Sequence, residues 1–196
     1  MTKTAVVIGV GPIEGLGAYL SLHAAREDLH VVVAGRTSAN LELVVERIVS
    51  DGGSASACVT DATIESDVVD LLDSAEQIGP VDLAIYNAGN NYSGDFLTMQ
   101  ADYFERAWRV CTLGGFLSAR GAVQAMLQRS VGTLLFTGAS ASMRGRPNFS
   151  AFTAAKAGLR ALAQSLAREF QPQGIHVGHV VVDGGIHGEK ILTAYP

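Results

Sequence analysis

The sequence predicts an α/β fold with a parallel, doubly wound sheet of the Rossmann type and helices on both faces. Short apolar runs alternate with longer segments of helical apolar spacing, and the first run leads into a glycine-rich turn. With 48% hydrophobic and 17% charged residues, the chain is apolar enough for a sheet covered on both faces. Its 196 residues suit one domain with a full core, so we expect a single domain over residues 1–196.

The elements can be assigned in order along the chain. Glycine and proline punctuate them: Gly79-Pro80 follows the third helix, and Pro172 and Gly174 follow the last. We expect Thr63 to cap the third helix and a glycine pair at 114–115 to interrupt the longest one. The pattern predicts strands at 4–9, 30–34, 55–60, 81–86, 132–137 and 175–182. It predicts helices at 15–26, from 38 or 40 to 50, and at 63–77, 99–129 and 150–170.

The turn after the first strand predicts a cofactor site. Residues 9–17 contain the order Gly-x-x-x-Gly-x-Gly at Gly11, Gly15 and Gly17. Glycines at such a turn permit positive φ angles and the close approach of a pyrophosphate, whose charge is stabilised by the N-terminus of the helix predicted over 15–26, where Leu16 lies. An ordinary strand-to-helix turn is the alternative.

Further residues at strand ends extend this prediction to NADP. Arg36 and Thr37 directly follow the second strand, where an acid would bind a ribose 2′-hydroxyl but an arginine suits a 2′-phosphate, so NAD is the weaker candidate. Asp61, after the third strand, is either a contact to the adenine edge or only a turn residue. The run Asn87, Ala88 and Gly89 closes the fourth strand, beside the first strand where the strand order reverses and ligands bind.

Composition excludes several other classes of function. The formal net charge of -5 leaves no basic surplus for a nucleic-acid backbone, and nothing in the sequence resembles a membrane span or a signal peptide. Cys58 and Cys111 are the only cysteines and lie far apart, which predicts a reduced, cytoplasmic protein. We expect no metal site.

Taken together, these residues resemble the short-chain dehydrogenase/reductase family over essentially the whole chain. The resemblance implies a nicotinamide cofactor across the carboxyl ends of the strands, a small-molecule substrate, and pairing of long helices in a homodimer or homotetramer. It also implies a family seventh strand, which we do not find: the chain is either a short member or part of a longer one. The motifs that match are Gly11, Gly15 and Gly17, then Asp61, Asn87, Ser140 after the fifth strand, and Lys156 in the following helix.

The departures from that family concern the active site. Its Tyr-x-x-x-Lys motif places a phenol that exchanges a proton with the substrate oxygen one helical turn before a lysine that binds the nicotinamide ribose. Here Phe152 precedes Lys156, so the lysine is kept and the acid is lost. The asparagine that the family places in the long helix falls at Cys111. Ser140 either orients a substrate carbonyl or only caps the backbone.

The lost phenol leaves the proton donor open. The candidates are Tyr92, Ser142, His187 and a water held by Lys156. Losing a positioned acid costs a factor of about 10² to 10⁴ in rate. Reduction of an activated C=C bond would need no such acid, because the electrons delocalise into a neighbouring carbonyl.

Two functions therefore follow from the sequence. The favoured one is an NADP(H)-dependent oxidoreductase acting on a small carbonyl or activated C=C substrate with a non-standard proton donor. The other is an NADP(H)-binding protein without turnover, with a sensing or structural role. Two helices also hold more apolar residues than a sheet face covers, so we expect them to pair between subunits, core packing being the alternative; these residues are Phe104, Trp108, Leu113, Phe116, Leu117, Leu159 and Leu162.

Overall fold

Six parallel strands form one sheet, as the alternation of strands and helices predicted. The computed structural model describes residues 2–184. Its strand order is β3-β2-β1-β4-β5-β6, so the order reverses beside β1 at the centre of the sheet. The strands are β1 (Thr4–Ile8), β2 (His30–Gly35), β3 (Ser54–Val59), β4 (Val81–Tyr86), β5 (Gly132–Ala139) and β6 (Ile175–Val182).

Helices cover both faces of this sheet. One face packs against the first two helices through a cluster that includes Val7, Val33 and Leu41. The opposite face packs against the others through a second cluster that includes Phe136 and Leu159. The doubly wound α/β prediction is confirmed. The helices are α1 (Leu16–Ala25), α2 (Ser38–Ser50), α3 (Glu65–Ile78), α4 (Ala101–Trp108), α5 (Gly114–Leu127) and α6 (Ser150–Phe170).

The two glycines at 114–115 do not interrupt the long helix, contrary to the sequence prediction. A π-helical turn over Arg109–Leu113 joins α4 to α5 without a break. A Cβ on Gly114 would lie 2.2 Å from the Tyr86 hydroxyl, and one on Gly115 would lie 2.4 Å from Leu159. These glycines therefore allow close packing against Tyr86 and Leu159, and the helix continues through them. The Tyr86 hydroxyl donates to the Val110 carbonyl inside the π turn.

Thr63 does not cap α3, which is a second correction. The residue at the cap position is Ile64, and no side chain caps the helix. The Thr63 hydroxyl instead donates to the Asp61 carboxylate at 2.8 Å, and its backbone N–H donates to the same oxygen at 2.9 Å. The Thr63 side chain therefore forms its hydrogen bond in a local turn around Asp61 and not at the N-terminus of α3, where the sequence predicted it.

The segment Ala101–Leu127 has the length and composition of a membrane span, with a mean hydropathy of 1.2, although the sequence reading found no such segment. Half of that window is buried inside the protein. Leu117, Val123 and Met126 belong to the core cluster under β4 and β5. A core helix passes the same test, so the composition of this segment is explained by its packing.

Candidate active site

A cleft of about 800 Å³ opens at the carboxyl ends of the central strands. The ends of β4 and β5, the loop before α6 and the first turns of α6 line it. Of the residues selected from sequence, the cleft brings together Leu16, Asn87, Gly89, Ser140, Phe152 and Lys156. These positions are far apart along the chain, and the parallel sheet gathers them at one edge.

The glycine turn approaches β4 closely, but at a different glycine from those predicted. Gly9 has a φ of +94°, and a Cβ there would lie 2.4 Å from the backbone nitrogen of Ala88. Gly11, Gly15 and Gly17 have no positive φ. A Cβ on Gly17 would lie 2.8 Å from the Gly9 carbonyl, whereas one on Gly11 would meet nothing within 4 Å. The left-handed turn therefore belongs to Gly9, and Gly17 is needed for helix-to-turn packing.

The start of α1 has the features of an anion site. Its cap residue Gly15 provides no side-chain hydrogen bond to the helix, so the first N–H groups are left for a ligand. Leu16, the first residue of α1, lines the cleft. Free N–H groups at the positive end of a helix dipole fit a pyrophosphate. This chain therefore has a turn that fits the phosphates of a dinucleotide.

Three charged residues, Arg36, Asp61 and Arg109, lie near one another beyond the glycine turn. Arg36 and Thr37 are exposed directly after β2. Although burial acts to raise the pKa of Asp61, hydrogen bonds from Thr63 and the positive charges of Arg36 and Arg109 lower that pKa overall. Arg109, in the π turn, was not selected from the sequence. The only sequence signal for it is the spacing of one helical turn from Glu105, which indicates a helical ion pair. Asp61 accepts hydrogen bonds from Thr63 in the turn before α3, and its contact to an adenine edge stays a prediction.

Asn87 and Gly89 connect the glycine turn to the lysine. The Asn87 side-chain amide donates to the Gly9 carbonyl at 3.0 Å. A Cβ on Gly89 would lie 3.2 Å from Lys156 Nζ and 3.5 Å from Cys111 Sγ. Asn87 thus contacts the glycine turn, and Gly89 leaves space beside Lys156 and Cys111.

Lys156 is a buried cation at the floor of the cleft. Its side chain is 4% exposed, and Nζ donates to the Thr137 carbonyl at 2.8 Å. Burial lowers the pKa of Lys156, and Cys111 opposes that shift. Burial in turn raises the pKa of the Cys111 thiol. Among the described residues the ammonium therefore has one acceptor, and its two remaining protons can face a ligand.

One face of α6 lies along the cleft. Phe149, Phe152, Thr153 and Lys156 all line it. The spacing i, i+3, i+4, i+7 brings these side chains to one side of a helix. Phe149 and Thr153 were not selected from sequence, although this spacing counted back from Lys156 would have found them. The Thr153 hydroxyl is buried without a hydrogen-bond partner among the described residues.

Two serines after β5 have different surroundings. Ser140 is half-buried, begins a short 3₁₀ turn and lines the cleft. Ser142 is buried, and its hydroxyl accepts the Ala139 backbone N–H at 3.1 Å. Ser142 therefore stabilises the turn that positions Ser140, and it does not line the cleft.

The remaining candidates for a proton donor fare differently. Tyr92 is not among the residues that line the cleft: its ring packs edge-on against Tyr103 with centroids 5.7 Å apart. Burial raises the pKa of Tyr92, which is opposite to the shift of an activated phenol. His187 lies outside the described residues. A half-buried histidine, His179 on β6, has a buried Nε2 atom without a partner among residues 2–184, and its partial burial together with Lys156 and Arg160 lowers its pKa.

Comparison with curated proteins identifies longer relatives. The chain is 32% identical over 176 residues to a glycine betaine reductase of Emericella nidulans, which covers 89% of this chain but only 14% of that protein. It spans about half the length, 53%, of several other curated relatives that it matches.

Solved structures share the fold closely. A short-chain dehydrogenase from Rhodopseudomonas palustris is 36% identical, with a TM-score of 0.89 over 98% of this chain and 89% of that one. A 7α-hydroxysteroid dehydrogenase complexed with NADH and 7-oxo glycochenodeoxycholic acid is 26% identical, with a TM-score of 0.86 over 91% and 69% of the two chains. A family model described as short chain dehydrogenase matches residues 3–187. The chain therefore belongs to the short-chain dehydrogenase family.

Proposed function

We propose that this protein is an NADP(H)-dependent oxidoreductase that acts on a small carbonyl or activated C=C substrate without the family's phenolic acid. One observation supports it above all: Lys156, Ser140 and a phenyl ring at Phe152 line the same cleft, beside a turn that fits dinucleotide phosphates. Family members use NAD(P)(H), and the bound nicotinamide supplies a hydride.

The protein's own residues would then divide the remaining tasks. The α1 N-terminus binds the phosphates, and Arg36 with Thr37 binds the 2′-phosphate. The Lys156 ammonium, held by the Thr137 carbonyl, donates to the nicotinamide ribose or to a water, and that water is the proton source. The Ser140 hydroxyl orients the substrate oxygen. Phe152 excludes bulk water from one wall of the cleft and has no proton to give.

We further propose that two copies pair through α4 and α5, in the cytoplasm. Phe104, Trp108 and Phe116 are spaced by four and eight residues and are 40%, 42% and 42% exposed. Leu117 and Leu159, which sequence placed in this interface, are instead core residues. The family is often oligomeric. Three exposed aromatic rings in one row are costly in water and suit a second copy. Both cysteines are free, in keeping with a reducing compartment.

The first experiment measures the cofactor preference. We expect wild type to bind NADPH more tightly than NADH, and Arg36→Ala to lose about tenfold or more in NADPH affinity, because a charged hydrogen bond contributes about 1.5 to 3 kcal/mol. NADH affinity should stay unchanged. Arg26→Ala, an exposed arginine at the opposite end of α1, is the control. Equal affinities of wild type for the two cofactors would contradict the assignment to NADP.

The second experiment restores the hydroxyl at residue 152. We expect Phe152→Tyr to reduce simple ketones weakly where wild type does not, because a positioned acid accelerates such reactions by about 10² to 10⁴. Phe149→Tyr is the matched control, since the same group is added to a second ring on the cleft wall, seven residues from Lys156.

Parallel assays on enoyl thioesters complete that comparison. Turnover by wild type with no gain in Phe152→Tyr supports a C=C substrate. NADPH binding without turnover of either substrate class in both proteins indicates a binding protein. Robust ketone reduction by wild type would show that the reaction does not need the lost phenol.

The third experiment uses pH to test the burial of Lys156. Because its pKa is lowered in the folded protein, the unfolded chain binds more protons between that value and the ordinary lysine pKa of about 10.4. The unfolding free energy of wild type, measured relative to Lys156→Met, should therefore rise as pH increases towards about 10.4. A flat difference would show that the ammonium is hydrated. The same variant should also lose NADPH affinity.

The fourth experiment tests assembly. Light scattering at micromolar concentration should show a dimer or tetramer for wild type and a smaller species for Phe116→Asp, because a carboxylate in an apolar contact is strongly unfavourable. Leu43→Asp, at an exposed leucine on α2, should leave assembly intact. Trp108 is the sole tryptophan, so a red shift of its emission should accompany dissociation. A monomeric wild type would disprove the pairing.

A further inference from the structure

Two arginines that the proposed mechanism does not use line the cleft. Arg144 and Arg146 belong to the loop between the 3₁₀ turn and α6, and both line the cleft together with Phe149 and Phe152. Both side chains are exposed. Their place in the fold is the open side of the cleft, beyond Ser140 as the chain leaves β5.

These arginines are poorly compensated by negative charge. Arg144 Nη2 lies 3.8 Å from Asp183 Oδ2, at the limit of an ion pair, with both side chains more than 60% exposed. Within residues 2–184, the Arg146 guanidinium forms no ion pair or hydrogen bond. Asp183 is also the sole carboxylate on the described wall of the cleft. A protein of net charge -5 therefore presents a local positive surface at this opening.

The cofactor does not account for this charge. The proposed phosphate sites are the start of α1 and Arg36, and Arg36 does not line the cleft. Along the chain Phe149 and Phe152 lie between the arginines and Lys156, and both rings line the cleft with them, which adds an apolar surface without hydrogen bonds. A ligand that uses this whole wall therefore has an anionic end, then an apolar segment, then the reacting group near Ser140.

The balance of charges favours a carboxylate. Arg144 is partly neutralised by Asp183, and within residues 2–184 the Arg146 guanidinium has no counterion, which matches a monoanion. Guanidinium groups bind carboxylates through two parallel N–H donors. We propose that Arg146, assisted by Arg144, recognises a carboxylate on the substrate, so that the substrate class is a small carboxylic acid bearing its carbonyl or C=C group beyond a short apolar segment. This inference rests on the proposed function only for the identity of the reacting group.

The test compares charged and neutral probes of the same shape. Benzoate and benzamide, and hexanoate and hexanamide, are titrated calorimetrically into NADP⁺-saturated protein and into protein without cofactor. We expect each carboxylate to bind about tenfold or more tightly than its amide, and the difference to shrink in high salt. Arg146→Ala should lose that advantage, Arg144→Ala should lose a smaller part, and Arg146→Lys should lie between wild type and Arg146→Ala.

Matched variants separate recognition from general effects. Arg168→Ala, an exposed arginine in the last turn of α6, should change nothing. Asp183→Asn should tighten carboxylate binding about twofold to threefold, because it removes the competing anion. Thermal melts check that each variant is folded, and both arginines lie in an exposed loop.

The outcomes are decisive in either direction. Equal affinity for carboxylate and amide, no saturable binding of either, or an unchanged affinity in Arg146→Ala overturns the proposal. Failure of NADPH to bind would contradict the proposed oxidoreductase but not this inference, since the titrations without cofactor test the arginines directly.

Discussion

The close approach of two chain segments at Gly9 and Ala88 is the constraint on which the site depends. Gly9, directly after β1, has a left-handed φ, and any side chain there would overlap the backbone that follows β4. The Asn87 side-chain amide donates to the Gly9 carbonyl. Because both contacts are backbone to backbone or nearly so, they fix the distance between the phosphate turn and the lysine side of the cleft with little freedom for adjustment.

From that contact the rest of the cleft follows. Gly89, two residues beyond Asn87, leaves the space above Lys156 Nζ and Cys111 Sγ. The π turn over Arg109–Leu113 places Cys111 there, and the Tyr86 hydroxyl at the end of β4 donates to the Val110 carbonyl inside that turn. An extra residue in a helix re-aims the side chains that follow it, and such turns occur often at functional sites. Here the turn places the buried Cys111 thiol near the buried Lys156 ammonium.

Much of the candidate site could be predicted from the sequence, and what could not has identifiable physical reasons. The glycine turn was found because its spacing after a strand is a local property of the chain, whereas Ser140 and Lys156 were found through the resemblance to the family's motifs. Tyr92 and Ser142 were proposed as proton donors on residue type alone, yet the structure packs one ring against Tyr103 and uses the other hydroxyl in a turn. Arg144 and Arg146 were not selected, because one loop arginine cannot be distinguished from another until a cleft lies beside it.

The sequence by itself determined the fold class, the order of the elements and most of their boundaries. Apolar periodicity and glycine or proline breaks act over a few residues, and the predicted bounds of β4, α6 and β6 are those observed. Tertiary structure alone decided which glycine adopts a positive φ, that Gly114 and Gly115 pack instead of ending a helix, and that Leu117 and Leu159 are core while Phe116 is exposed. Each of those outcomes depends on what a distant segment places against the residue, and no local pattern contains that information.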